Sequence, residues 1–168
     1  IDRDIVKWLR AEFPEQKLTI HAADALRFDF AQLGTNLRII GNLPYNISTP
    51  LLFHLSQYSA SVIDMHFMLQ QEVVDRMVAE PSTSDYGRLS VMLQNQFEME
   101  KLLAVPAESF MPVPKVQSAI VRMIPRATPI VPVAEHPLFT KLVTAAFAQR
   151  RKTLRNTLKN YLVLADFE

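Results

Sequence analysis

Asn42-Leu43-Pro44-Tyr45 is the stretch of this 168-residue chain best equipped for chemistry. It follows the apolar run Leu37-Arg38-Ile39-Ile40-Gly41 and precedes Asn46-Ile47-Ser48-Thr49-Pro50. An apolar run ending in glycine reads as a strand, and ligands bind at the carboxyl ends of strands in open α/β sheets. Asn42 brings a carbonyl acceptor and an amide donor, and Tyr45 brings a flat face. That pair suits a planar ring with polar edges. The alternative is turn chemistry, because Asn and Pro also punctuate loops for conformational reasons.

Three other places carry chemistry of the same kind. Asp24 follows a β-branched run, where a carboxylate either accepts from an adenine-like amino group or simply caps a turn. Phe110 stands in Ser109-Phe110-Met111-Pro112-Val113-Pro114-Lys115-Val116. The prolines stiffen that loop, so its aromatic ring is either a base-stacking platform or a plug in the core. Gln149-Arg150-Arg151-Lys152-Thr153-Leu154-Arg155 is a basic run that is either a solvated helix face or a set of phosphate contacts. No acidic residue sits four positions away to neutralise any of these charges, which favours phosphate. From His136 to Ala165 the sequence has no Asp or Glu but six Lys and Arg, an asymmetry that points to nucleic acid or anionic surfaces.

Composition removes other chemistries. Zero cysteines exclude disulfides, thiolate metal sites and a cysteine nucleophile. His21, His54, His66 and His136 show no metal-ligand spacing, so no metal is expected. The three glycines, Gly34, Gly41 and Gly87, are scattered, so the chain has neither a P-loop nor G-x-G-x-x-G, and no nucleophile elbow. No apolar run is long enough to span a membrane. With 49% hydrophobic and 21% charged residues the chain can bury a core.

The elements that must position these residues follow from periodicity. Residues 2–13 read as an amphipathic helix with Ile5, Trp8 and Leu9 on one face, ended by Pro14. Strands are expected over 17–21, 37–40, 62–69, 102–105 and 116–124, and helices over 70–79 and 88–97. Ser48 or Thr49 is expected to cap a helix with Pro50 at its first position. Alternation of strands and helices argues for a parallel sheet covered on both faces, with the last two strands forming an antiparallel hairpin at one edge. Seven of the eleven prolines lie between Pro106 and Pro137, so residues 126–137 read as a linker. It divides a body of 1–125 from a basic helical part of 138–168.

Taken together, Asn-Leu-Pro-Tyr-Asn-Ile-Ser-Thr-Pro at 42–50, Phe-Met-Pro-Val-Pro-Lys-Val-Gln-Ser-Ala at 110–119 and Gln-Arg-Arg-Lys-Thr-Leu-Arg-Asn at 149–156 resemble the ribosomal RNA adenine dimethyltransferases, the bacterial small-subunit type above all. The resemblance implies a Rossmann-like methyltransferase sheet, incomplete and lacking its first strands, with the start of a small C-terminal helical domain. It implies transfer of methyl groups from S-adenosylmethionine to the N6 amines of two adjacent adenosines near the 3′ end of small-subunit rRNA. By the same likeness Asn42, Leu43, Tyr45 and Phe110 are the catalytic set, and Asp24 with Asn42 contacts the cofactor. Arg150, Arg151, Lys152 and Arg155 would meet RNA phosphates. The expected setting is a monomer in the cytoplasm acting on a pre-30S particle, without metal or membrane.

The departures from the family pattern are specific. Its glycine-rich cofactor loop and the acidic residue that ends its second strand have no counterpart in these 168 residues, and the helical part is short. The chain therefore reads as the interior portion of a larger enzyme, which alone binds S-adenosylmethionine weakly or not at all. Two other readings compete: the large-subunit rRNA methyltransferase type that confers macrolide resistance, and a non-catalytic rRNA-binding or ribosome-assembly factor.

Overall fold

A computed structural model describes residues 2–149 and 151–162. Asp2 caps helix α1 (Arg3–Glu12): its carboxylate accepts from the N–H groups of Asp4 and Ile5 at 3.0 and 3.1 Å. It thereby satisfies two donors that a helix start leaves unpaired. The apolar stripe is present, yet no residue of α1 is buried and Trp8 is 59% exposed. The Trp8 ring meets Phe13 edge-on with centroids 6.3 Å apart.

The strand expected over 17–21 does not form. Strand propensity is a fitness for a pleated, half-buried surface, and these residues meet none. Local bonds bracket them instead, from Lys17 N–H to the Pro14 carbonyl and from Ala23 N–H to the His21 carbonyl. What anchors the next stretch is aromatic. His21, Phe28, Phe30, His54 and Tyr58 form a chain of ring contacts with centroids 5.1 to 5.7 Å apart. The His54 Nε2–H donates to the Phe28 carbonyl at 2.8 Å.

Four strands make one sheet in the order β1-β2-β4-β3, with β1 at Leu37–Asn42, β2 at Val62–Gln70, β3 at Phe97–Val105 and β4 at Ser118–Pro125. β1 and β2 run parallel, with Leu37 opposite Val62 and Asn42 opposite Met68. The other two pairings are antiparallel: β4 lies between β2 and β3, with Gln70 and Val105 both opposite Ser118. The Rossmann-like expectation thus holds as a mixed sheet. The hairpin of the last two strands is present, but its second member sits inside the sheet and β3 is the edge. Met65, Phe67 and Leu69 of β2, Ala119, Val121 and Met123 of β4, and Phe97 of β3 form the buried centre.

Helix α2 (Ser48–Ser56) covers the sheet with Leu51, Leu52 and Leu55, and α3 (Gln71–Val78) with Val74 and Met77. α2 starts differently from expectation. Ile47 holds the cap position, and the Ser48 hydroxyl donates back to the Tyr45 carbonyl at 3.0 Å. Pro50 is the third helical residue, still within the first turn where its missing N–H costs nothing.

Helix α4 spans Arg88–Gln94 and stops short of Phe97, which opens β3 and is fully buried. The helix register and the first inward strand position coincide there. The proline-rich stretch after β4 contains a single 3-10 turn, Val133–Glu135, and α5 (His136–Ala146) begins at His136 rather than Leu138. The expected basic helical part is two helices, with α6 at Leu154–Leu158.

The stretch between β4 and α5 is fastened down. Buried Asn95 accepts from Val131 N–H at its side-chain oxygen (2.7 Å) and from Ile130 N–H at its carbonyl (3.0 Å). His136 Nε2 lies 3.1 Å from Asn95 Nδ2 and 3.0 Å from the Val131 carbonyl. One amide side chain therefore ties the α4–β3 turn to the entry of α5.

Candidate active site

Both parallel strands end at the same edge of the sheet, and β4 begins there, since Ser118 pairs with Gln70. Two connections rise over that edge, residues 43–47 from β1 to α2 and residues 106–117 from β3 to β4. Between them lies an open cavity of about 350 Å³ lined by Asn42, Leu43, Pro44, Tyr45, Phe110, Met111, Pro112 and Pro114. That volume lies within the range of small-molecule sites. The four residues expected to be catalytic are brought together.

Each has a structural reason for its place. Asn42 is the last residue of β1 and exposed, and its side chain makes no hydrogen bond to a described residue. Leu43 turns inward and is buried, its N–H donating to the Met68 carbonyl at 3.1 Å, which continues the parallel ladder one residue past the strand. Gly41 makes room for that turn: a Cβ there would stand 3.0 Å from Leu43 Cδ2. The Pro44 and Tyr45 carbonyls are occupied by Ile47 N–H (3.1 Å) and the Ser48 hydroxyl (3.0 Å). No described residue donates to the Leu43 carbonyl.

The second connection is stiffened at both ends. Ala107 N–H donates to the Gln117 side-chain oxygen at 2.9 Å, and Phe110 N–H donates to the Ala107 carbonyl at 3.1 Å. The Gln117 carbonyl accepts from Gln71 N–H at 2.9 Å, tying the loop to α3. Phe110 is half-buried and lines the cavity, whereas Met111 is 96% exposed at its rim.

Asp24 is not part of this cavity lining. Its carboxylate accepts from Leu26 N–H at 3.0 Å and lies 3.9 Å from Arg27 Nε, so it caps the turn that follows it. The carboxylate remains about half exposed and keeps acceptor capacity beyond that cap. Arg151, Lys152 and Arg155 are exposed and form no ion pair with a described residue. Arg150 lies outside the described residues. Among the described residues no group of acidic or histidine side chains could hold a metal ion, and no helix is long and apolar enough to cross a membrane.

Reading the sequence missed one residue of this neighbourhood. Ser118 is completely buried, and its Oγ lies 2.7 Å from the Tyr45 hydroxyl, across 73 positions of chain. The only local sign was a hydroxyl at the start of a largely apolar strand.

Known proteins resemble this chain in sequence and in fold. The family model for ribosomal RNA adenine dimethylase matches residues 1–167. Ribosomal RNA small subunit methyltransferase A of Nitrosomonas europaea is 67% identical over 168 residues, all of this chain and 65% of its own length. The protein of the same name from Nitrosospira multiformis is 65% identical over 167 residues and matched over 64% of its length. The chain thus spans about 65% of the curated relatives it matches. Among solved structures, a dimethyladenosine transferase from Plasmodium falciparum superposes with a TM-score of 0.80 at 27% identity, covering 99% of this chain and 60% of that one. The 23S rRNA methyltransferase ErmE superposes with 0.72 at 26% identity, covering 96% and 64%. The chain belongs to the ribosomal RNA adenine dimethylase family.

Proposed function

We propose that the protein dimethylates the N6 amines of two adjacent adenosines near the 3′ end of small-subunit rRNA, with S-adenosylmethionine as methyl donor. One observation carries the reading: a cavity at the carboxyl edge of the sheet with a free amide, a free backbone carbonyl and two aromatic rings around it. An adenine amine is a poor nucleophile because its lone pair is delocalised into the ring. The Asn42 side-chain oxygen and the Leu43 carbonyl accept its two N–H bonds, which favours a pyramidal nitrogen with an available lone pair. Fixed acceptors of this kind stabilise the charge that develops on the amine without a strong base. Tyr45 and Phe110 hold the extruded base by stacking, as enzymes that act on splayed-out bases require.

S-adenosylmethionine, when bound, supplies the electrophilic methyl group. The residues present fit one side of such a site. Asn42 has an unengaged amide, and the Asp24 carboxylate keeps room to accept an adenine amino group. A glycine-rich cradle is absent from the sequence.

Relatives named for the small subunit reach 67% identity, against 26% for the 23S enzyme, which favours the small-subunit target. In this reading the protein acts as a cytoplasmic monomer on a pre-30S particle. Residues 1–125 supply the catalytic body, and Arg150, Arg151, Lys152 and Arg155 contact phosphate.

The test is transfer of labelled methyl groups by the full-length protein to undermethylated small-subunit particles, with large-subunit RNA as the competing substrate. Asn42→Ala lowers turnover by roughly 10²–10³-fold, the usual cost of one fixed hydrogen-bonding group at the reacting centre. Normal dimethylation by that variant, or preference for large-subunit RNA, would reject the assignment.

A further inference from the structure

The Tyr45 side chain is held at its far end. Its hydroxyl lies 2.7 Å from Ser118 Oγ, and Ser118 is completely buried as the first residue of β4, opposite Gln70 on one side and Val105 on the other. At the near end, the Tyr45 carbonyl accepts the Ser48 hydroxyl. A tyrosine held at backbone and phenol has the long axis of its ring fixed, with only rotation about that axis left, and that ring lines the cavity.

We infer that Ser118 is a positioning residue for the base pocket, its hydroxyl fixing the long axis of the Tyr45 ring so that Tyr45 works by its face alone and takes no part in proton transfer. The inference rests on the proposed function and adds to it how the stacking ring is placed. A tyrosine facing a pocket normally has two uses, as a platform or as an acid–base group with its hydroxyl near the reacting atom. Here the hydroxyl is committed to a buried serine of a central strand. A stacking face must be held within roughly 10–20° to preserve a productive geometry, and a ring tethered only through Cβ keeps rotamer freedom that a distal hydrogen bond removes. In that bond one hydroxyl donates and the other accepts. Removing the serine hydroxyl frees the phenol to swing toward another partner, and removing the phenol leaves the completely buried Ser118 hydroxyl without it.

Steady-state methylation by the full-length protein, with small-subunit particles as substrate, separates the possibilities. Ser118→Ala and Tyr45→Phe each lower kcat by roughly 10-fold, a size in keeping with mispositioning rather than loss of a reacting group. Neither changes KM for S-adenosylmethionine or the shape of the pH–rate profile. The double variant is no slower than either single one, because both remove the same bond. Ser118→Thr, which keeps the hydroxyl, restores most of the rate. A Tyr45→Phe profile that loses a titrating limb, multiplicative effects in the double variant, or wild-type kcat for Ser118→Ala each overturns the inference. Should Ser118→Ala fail to fold, Tyr45→Phe and Ser118→Thr carry the same decision, and wild-type kcat in Tyr45→Phe overturns it. Asn42→Ala, run alongside, keeps the two failures apart. If it is as active as wild type, the proposed function is wrong; if it is inactive while Ser118→Ala is unaffected, only this inference is.

Discussion

The cavity edge and the amino-terminal segment make similar local use of hydrogen bonds and differ in what lies beneath them. Asp2 caps α1 with two good bonds, as well made as any around the cavity. Yet no residue from Asp2 to Asp24 is buried, whereas Leu43, Ser48, Ala107 and Ser118 anchor the loops of the site. Caps and turn bonds choose a local conformation at about 1 kcal/mol each. Fixing that conformation relative to the rest of the molecule takes apolar burial, and only the cavity edge has it.

The contrast can be broken most forcefully from below. Phe67→Ala, which empties the centre of β2 under Leu43 and Gly41, is expected to lose about 3–5 kcal/mol of unfolding free energy. Urea titration followed by circular dichroism measures it, and a loss under 1 kcal/mol would mean that the core does not support the site. A smaller effect belongs to the exposed basic segment, where exposure serves binding. Replacing Arg151, Lys152 and Arg155 together by Ala is expected to weaken rRNA binding by the full-length protein and flatten its salt dependence by about 0.7–0.9 in slope per lost phosphate contact. Filter binding at several salt concentrations reads both, and an unchanged slope would return the run to a solvated face. The smallest effect is expected at the uncovered end. Trp8→Ala in these 168 residues shifts the unfolding free energy by no more than about 0.5 kcal/mol, the scale of surface substitutions. A loss of several kcal/mol in the same urea titration would show that α1 is packed after all.

The residues that bear the site were legible because their types and their place after a strand are local facts. Asn42 to Tyr45 sit where β1 ends, and Phe110 sits in a loop that its prolines announce. What escaped depended on partners distant in sequence. The β-branched run at 17–21 had the composition of a strand and no neighbour to pair with. Phe97 fell in helical register with Leu93 and equally in the inward register of β3, and burial resolved the ambiguity toward the strand. The insertion of β4 between β2 and β3 is a choice among pairings that alternation alone does not rank. Ser118 lies 73 residues from the tyrosine it holds. The prolines announced irregular backbone over 126–137, yet α5 already opens at His136, and the attachment of the stretch through Asn95 needs a side chain from the turn between α4 and β3.

Gly41 has a consequence for how the protein can vary. It carries no reactive group, yet a methyl group there would press on Leu43 Cδ2 at 3.0 Å, and the side chain would have to yield by a few tenths of an ångström. Leu43 is one residue that both plugs the core and lines the cavity. The space left by a single hydrogen atom at Gly41 is thus part of what lets Leu43 turn inward beneath the cavity.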